Sequence, residues 1–169
     1  MDAKNTIGYY GEVEVSLVDK KTKNVEQEFK SLNQVMMTSG PFMRALFEPG
    51  HFVDTLFLGD GGIADGAIKT VDYKETELYH FLDNTALTSP EVTFDQDAKK
   101  TTIAFTTIYS HGSVNNVIVN EIGLGKLGGG ELAPGNAYQL FAKKTMTEMV
   151  LDDTKELVVI WKMHFQFGI

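Results

Sequence analysis

An alternating run of apolar residues between positions 157 and 167 constrains the fold of this 169-residue chain more than any other feature. Every second position in the run is apolar, and these residues are Leu157, Val159, Trp161, Met163, Phe165 and Phe167. Because successive side chains of a β-strand point to opposite faces, the six would share one continuous face. The sequence therefore predicts a long core strand here.

Similar patterns predict further strands and two hairpins. Residues 12–18 alternate between polar and apolar, residues 20–24 form a polar turn, and Val25, Gln27 and Phe29 share a second face. A second predicted hairpin joins Val92 and Phe94 to residues 103–109 through the polar turn 95–99. The other predicted strands cover residues 53–58, 117–124 and 138–145.

One segment has helical spacing. In residues 33–47, apolar residues recur at intervals of three and four, Gly40–Pro41 marks a kink or a new start, and residues 48–50 end the helix. Residues 76–87 are ambiguous between a short helix and irregular structure. Glycines at 59–66 and 125–135 predict a flexible loop and a mobile surface loop. These patterns predict a mainly β fold, an antiparallel β-sandwich or jelly-roll-like domain with one packed helix.

Composition limits the classes of function. The chain is 43% hydrophobic and 22% charged, values typical of a globular protein, and its length suits a single domain spanning residues 1–169. No run reaches the roughly 18 apolar residues of a membrane span, and the first residues lack a signal peptide. We therefore expect folding in the cytoplasm and no membrane partner.

The absence of cysteine excludes disulfides, thiolate nucleophiles and cysteine-zinc sites. A formal net charge of −8 repels phosphate backbones, so nucleic acid is not an expected partner.

Residues 59–66, Gly-Asp-Gly-Gly-Ile-Ala-Asp-Gly, offer Asp60 and Asp65 as oxygen ligands for a cation. The stretch has neither the alternating ligands nor the closing glutamate of an EF-hand loop, and it lacks the Gly-Lys-Ser/Thr end of a phosphate loop. A flexible turn is the favoured interpretation, and no metal or other cofactor is expected.

The four histidines, His51, His80, His111 and His164, lie far apart in the sequence. No two have metal-ligand spacing, and His164 falls on the strand face opposite Trp161, where we expect it to be solvated or to face another subunit. Ser110–His111 does not form a catalytic triad, and no Gly-x-Ser-x-Gly motif occurs.

Glu121 is the carboxylate of most interest. It is expected on one strand face with Val119 and Gly123, opposite Ile118, Ile122 and Leu124. A solvent-facing glutamate is the simpler interpretation, and a polar network or a subunit contact is the alternative. Catalysis would require a second carboxylate facing it, and the sequence indicates none, so no catalytic residue and no enzyme activity are predicted.

Five aromatic residues could form a sugar-binding platform: Tyr138, Phe141, Trp161, Phe165 and Phe167. Their alternating spacing favours core packing instead.

The order of motifs resembles small β-rich virion proteins of tailed bacteriophages, found in tails and on head surfaces. The resemblance covers about residues 30–169. It begins with a helix-bearing segment at residues 36–47, a short strand with a glycine-rich loop at 56–62 and a Thr-rich strand at 101–109. Three short motifs follow: Asn-Glu-Ile-Gly-Leu at 120–124, Leu-Phe-Ala-Lys at 140–143 and Glu-Leu-Val-Val-Ile-Trp at 156–161. Residues 125–130 depart from the pattern as a longer insert.

The resemblance implies a non-enzymatic virion protein that adheres to neighbouring capsid or tail subunits. Within that class we expect a capsid-decorating or minor capsid protein, since an acidic, self-contained domain suits an exterior position. A tail or fibre-attachment component, a carbohydrate-binding adhesin and, more remotely, a hydrolase are the alternatives. The mixed face of Val158, Ile160, Lys162, His164 and Gln166 predicts a homo-oligomer, and trimers are common among the proteins that the chain resembles.

Overall fold

The computed structural model describes residues 7–35, 53–88, 90–111, 116–128 and 137–167. All regular secondary structure in these ranges is β-strand, so the prediction of a mainly β, antiparallel protein is confirmed. The strands are β1 (Ile7–Asp19), β2 (Val25–Leu32), β3 (Gln34–Val35), β4 (Thr55–Gly59), β5 (Ile63–Ala64), β6 (Ala67–Ile68), β7 (Phe81–Ala86), β8 (Glu91–Asp95), β9 (Lys100–Ser110), β10 (Val117–Leu127), β11 (Tyr138–Leu151) and β12 (Lys155–Phe167).

The first sheet has the strand order β2-β1-β12-β9-β8. The predicted terminal strand is confirmed as β12, which lies at the centre of this sheet between β1 and β9. Leu157, Val159 and Trp161 are almost completely buried, and Met163 is 8% exposed. The alternating run therefore forms a core strand, as its period predicted.

The second sheet has the strand order β3-β11-β10-β4-β7, and β5 and β6 form a separate small hairpin. Neighbouring strands of both large sheets are antiparallel. One hydrophobic core draws on both sheets. The first sheet contributes Val13, Val15, Leu17, Phe105, Tyr109, Leu157, Val159, Trp161 and Met163, and the second contributes Leu56, Leu58, Val119, Ile122, Leu124, Phe141, Ala142, Met146, Met149 and Leu151.

Both predicted hairpins are confirmed. β1 and β2 pair across residues 20–24, where Lys23 has a φ of 60°, and β8 and β9 pair across residues 96–99, where Lys99 has a φ of 49°. The ambiguous stretch 76–87 ends in strand β7, which pairs with β4.

The predicted helix over residues 33–47 lies largely outside the described residues, which resume at position 53. At its predicted start, Gln34 and Val35 form β3 instead and pair with Lys143 and Ala142 of β11. No helix occurs in the ranges that the structure describes. The spacing that began at Leu32 was misleading, because that residue is 62% exposed at the end of β2.

Both glycine-rich loops need correction where they are described. In the stretch 59–66, Asp65 and Gly66 have φ values of 51° and 76° and form the turn between β5 and β6. Gly125 belongs to β10, where an added Cβ would lie 2.1 Å from the Gln139 carbonyl oxygen. Residues 125–127 are therefore strand, and residues 129–135 of the predicted surface loop lie outside the described residues.

Candidate functional site

An irregularity in β10 directs Glu121 away from the core. The register of β10 against β11 shifts between Val119 and Glu121, so the strand does not alternate strictly. As a result Val119 joins Ile122 in the hydrophobic core, whereas Ile118, predicted to share the Ile122 face, is 41% exposed. The prediction that Val119 shares a strand face with Glu121 was therefore wrong.

Glu121 is completely buried, with 0% exposure, so the solvent-facing interpretation was wrong. Its Oε1 accepts hydrogen bonds from the backbone N–H groups of Gly61 at 3.1 Å and His80 at 2.7 Å. Its Oε2 accepts one from the N–H of Tyr79 at 2.9 Å. Bonds from N–H donors to an ionised carboxylate are stronger than neutral ones, so they offset part of the cost of burying the charge.

Lys143 supplies the positive charge beside Glu121 and is also 0% exposed. Its Nζ lies 3.6 Å from Glu121 Oε2 and donates to Glu75 Oε2 at 2.8 Å and to the Glu77 carbonyl at 3.0 Å. The same ammonium lies 3.3 Å from the centre of the Tyr79 ring, within cation–π range. We call Glu121, Lys143, Glu75, Tyr79 and Asn120 the Glu121 cluster.

Glu75 and Tyr79 form the outer part of this cluster. The Tyr79 hydroxyl donates to Glu75 Oε1 at 2.6 Å. Burial acts to raise the pKa of the Glu75 carboxyl, but hydrogen bonds from Lys143 and Tyr79 outweigh it and hold that pKa below its ordinary value. Burial, followed by the bond to Glu75, raises the pKa of the Tyr79 phenol. Both effects favour an ionised Glu75 beside a neutral Tyr79.

The cluster attaches residues 60–80, which we call the covering segment, to the outer face of the second sheet. Asn120 Oδ1 accepts from the Gly62 N–H at 2.7 Å, and Thr145 Oγ1 donates to the Lys69 carbonyl at 2.6 Å. A smaller apolar cluster completes the contact and consists of Phe57, Leu78, Tyr138 and Leu140 with Val71 against it. Glycines in the covering segment allow this approach, since a Cβ on Gly62 would lie 2.3 Å from the Asn120 carbonyl oxygen.

The candidate cation ligands do not come together. Asp60 contacts the ring of His80, whose side chain is 67% exposed, and Asp65 lies at the tip of the β5–β6 hairpin. In the described part of the chain no group of three or more histidine and carboxylate side chains could hold a metal ion. His51 lies outside the described residues, and His111 follows the end of β9.

His164 is 4% exposed, so the expectation of a solvated or subunit-facing residue was wrong. Its Nδ1 lies 2.8 Å from Thr102 Oγ1, and the Tyr10 ring lies 4.6 Å from the imidazole. Its Nε2 is 3.2 Å from Glu12 Oε2 but lacks hydrogen-bond geometry. Neighbouring strands cover the ring although it points away from the core.

The aromatic residues do not form an exposed platform. Trp161 and Phe141 are buried in the main core, at 1% and 4% exposure, which confirms core packing for both. Tyr138 stacks on Phe57 with ring centres 4.6 Å apart, and its hydroxyl oxygen accepts from the Leu78 N–H. Phe165 is partly buried against the core, and the Phe167 side chain is not described.

Sequence reasoning identified Glu121 but not its partners Lys143, Glu75 and Tyr79. The available signal was Lys143, a charged residue that directly follows the apolar residues 140–142 on a predicted strand. Glu75 and Tyr79 gave no signal, because 46 or 42 residues separate them from Glu121 and no periodicity connects them.

Comparisons with protein-family models, with curated proteins and with solved structures find no match to this chain. No helix in the described residues is long and apolar enough to cross a membrane.

Proposed function

We propose that this protein is a structural component of a tailed-bacteriophage virion that acts by adhesion to neighbouring subunits. One observation carries the proposal: two consecutive motifs of the phage resemblance lie on neighbouring strands and pair with each other. Asn-Glu-Ile-Gly-Leu lies on β10 and Leu-Phe-Ala-Lys on β11, paired through Gly123 with Lys143 and Leu124 with Ala142. The glutamate of one motif and the lysine of the other are the buried ion pair.

The closed geometry of the cluster supports a structural role. A general acid or nucleophile must reach substrate, whereas Glu121 has no exposed surface and directs both carboxylate oxygens at backbone N–H groups. Lys143 is equally enclosed. A site whose polar atoms are fully used inside the fold stabilises the domain and leaves recognition to the surface.

Within this class we favour a capsid-decorating or minor capsid protein. The net charge of −8 suits the outside of a particle. The outer face of the first sheet carries ion pairs, including Lys162 with Glu14 and Lys30 with Glu14. Such paired, hydrated charges are typical of a surface that faces solvent. A tail or fibre-attachment component is the second candidate, since the resemblance also includes tail proteins.

The proposal includes a homo-oligomer, with a trimer as the expected form, but the mixed face of β12 offers less apolar surface than its sequence indicated. Val158 and Ile160 are only partly exposed, Lys162 pairs with Glu14, and His164 is buried. Contacts between subunits would therefore need to involve another part of the molecule.

Particle binding tests the proposal directly. Purified protein is mixed with capsid shells or with tail tubes of the phage that encodes it, the particles are sedimented, and the bound ratio is measured. We expect saturation at a fixed ratio to one particle subunit, on shells for a decorating protein and on tubes for a tail component. Binding to neither particle, with neighbouring genes that encode no capsid, portal or tail protein, would contradict the proposal. Specific glycan binding on an array would instead favour an adhesin.

A further inference from the structure

Strand β8 is an edge strand whose five residues, Glu91–Asp95, are all exposed. Among the described strands it pairs only with β9. In an antiparallel sheet the outer side of an edge strand presents unpaired N–H and C=O groups, which can accept another strand. β8 thus has the backbone chemistry for strand addition.

The apolar side chains of β8 extend beyond the core that they face. Val92 lies opposite Ile103 and Phe94 opposite Thr101, so both point to the same side of the sheet as the core. Nevertheless Val92 is 61% exposed and Phe94 is 65% exposed. Two adjoining large apolar side chains at an unpaired edge form a surface that a further strand could cover.

The other face of β8 is acidic. Glu91 and Asp95 share that face with Thr93, where Glu91 lies opposite Ala104 and Asp95 lies opposite Lys100. By contrast, the opposite edge of the first sheet, β2, carries a lysine, Lys30, whose ammonium lies beside Glu14 of β1 and Glu28. Lysines on an edge strand oppose strand addition, and β8 contains none.

We propose that β8 binds an extended segment of a neighbouring protein by antiparallel strand addition. The segment places apolar side chains beside Val92 and Phe94 and basic side chains opposite Glu91 and Asp95. A second copy of this chain fits less well: pairing β8 with itself about Thr93 sets Glu91 opposite Asp95 twice, and like charges directly opposite are unfavourable. The identity of the partner as a virion subunit rests on the proposed function, whereas the binding chemistry does not.

A peptide titration tests this surface independently of any particle. The probe is a synthetic peptide, Lys-Val-Thr-Val-Lys with glycines at both ends, added to ¹⁵N-labelled full-length protein and followed by NMR. We expect amide shifts concentrated on β8 and slower hydrogen exchange of its amides on binding. Replacing the central threonine of the peptide by proline removes an N–H group and should weaken binding.

Charge reversal provides the matched control. Replacing both peptide lysines by glutamate should weaken binding about fivefold, and the double variant Glu91→Lys with Asp95→Lys should reverse that preference. Phe94→Ser should reduce binding by a similar factor while leaving the fold intact, because the side chain is mostly exposed.

The inference would be overturned by shifts that lie elsewhere than β8, by equal binding of the lysine and glutamate peptides, or by protection in the free protein of the β8 amides that point away from β9. A dimer in light scattering that Phe94→Ser abolishes would assign the edge to a second copy and also overturn it. Loss of particle binding with intact peptide binding would count against the proposed function alone.

Discussion

Removing the Glu121 carboxylate is the most direct test of the buried cluster. Glu121→Ala deletes the acceptor for three backbone N–H groups, those of Gly61, Tyr79 and His80, and leaves Lys143 buried beside Glu75 alone. Breaking a buried ion pair by removing one partner costs about 3–5 kcal/mol. With a urea m-value of about 2 kcal/mol/M, the unfolding midpoint should fall by roughly 2 M.

Two further variants separate the charge from the hydrogen bonds. Glu121→Gln can keep an oxygen at the Oε1 position for Gly61 and His80, but its NH₂ group then faces the Tyr79 N–H and Lys143. We expect a loss between those of the wild type and Glu121→Ala, about 1–3 kcal/mol. Adding Lys143→Met to Glu121→Gln should cost less than Lys143→Met in the wild type, because the lysine has already lost one of its two carboxylate neighbours.

The assay is urea unfolding monitored by the fluorescence of Trp161, the single tryptophan, which is buried in the main core. Glu148→Gln is the matched control, since Glu148 is an exposed carboxylate on β11. If Glu121→Ala and Glu148→Gln have equal urea midpoints, the cluster is not a source of stability.

The remaining predictions concern the core, a close backbone contact and pH. Trp161→Ala should cost about 3–5 kcal/mol, whereas Lys162→Ala on the opposite face should cost about 1 kcal/mol or less, and similar urea midpoints would contradict the burial pattern. Gly125→Ala should destabilise by about 1–3 kcal/mol, because its Cβ would meet the backbone of β11, and an unchanged thermal midpoint would contradict that contact. The pKa of Tyr79 is higher in the folded than in the unfolded chain, so the free energy of unfolding should fall as the pH rises above about 10. The variant Tyr79→Phe should show a weaker fall. The pKa of Glu75 is lower in the folded chain, so the stabilisation by this carboxylate should be lost as the pH falls below about 4. The variant Glu75→Gln should therefore show a weaker loss of unfolding free energy in acid.

The strands and hairpins were predictable because their pattern is local. β12 alternates with period two over its whole length, and polar turns separate β1 from β2 and β8 from β9, so each pairing follows from neighbouring residues. The helical spacing after Leu32 was a weaker guide. A period of three or four over a few residues does not exclude a short edge strand such as β3, which gains backbone pairing with β11.

The Glu121 cluster was not predictable, for two physical reasons. The register of β10 against β11 shifts between Val119 and Glu121, and this break in the alternation exchanges the two faces of β10 for the positions beyond it. The partners of Glu121 also come from the covering segment, which lies dozens of residues away in sequence. Only the folded chain shows that three N–H groups and an ammonium surround this carboxylate.

The cluster also accounts for why a charged residue is compatible with a strand as apolar as β11. Lys143 points to the outer face, toward Glu121 and Glu75, while its neighbour Ala142 belongs to the main core. A slip of β11 by one residue would place the Lys143 ammonium among apolar side chains without a partner. The ion pair therefore disfavours the wrong register, and the same contacts hold the covering segment against the second sheet. On the proposed function, adhesion to other subunits would involve outer surfaces of this framework such as the edge strand β8, whose five residues are all exposed.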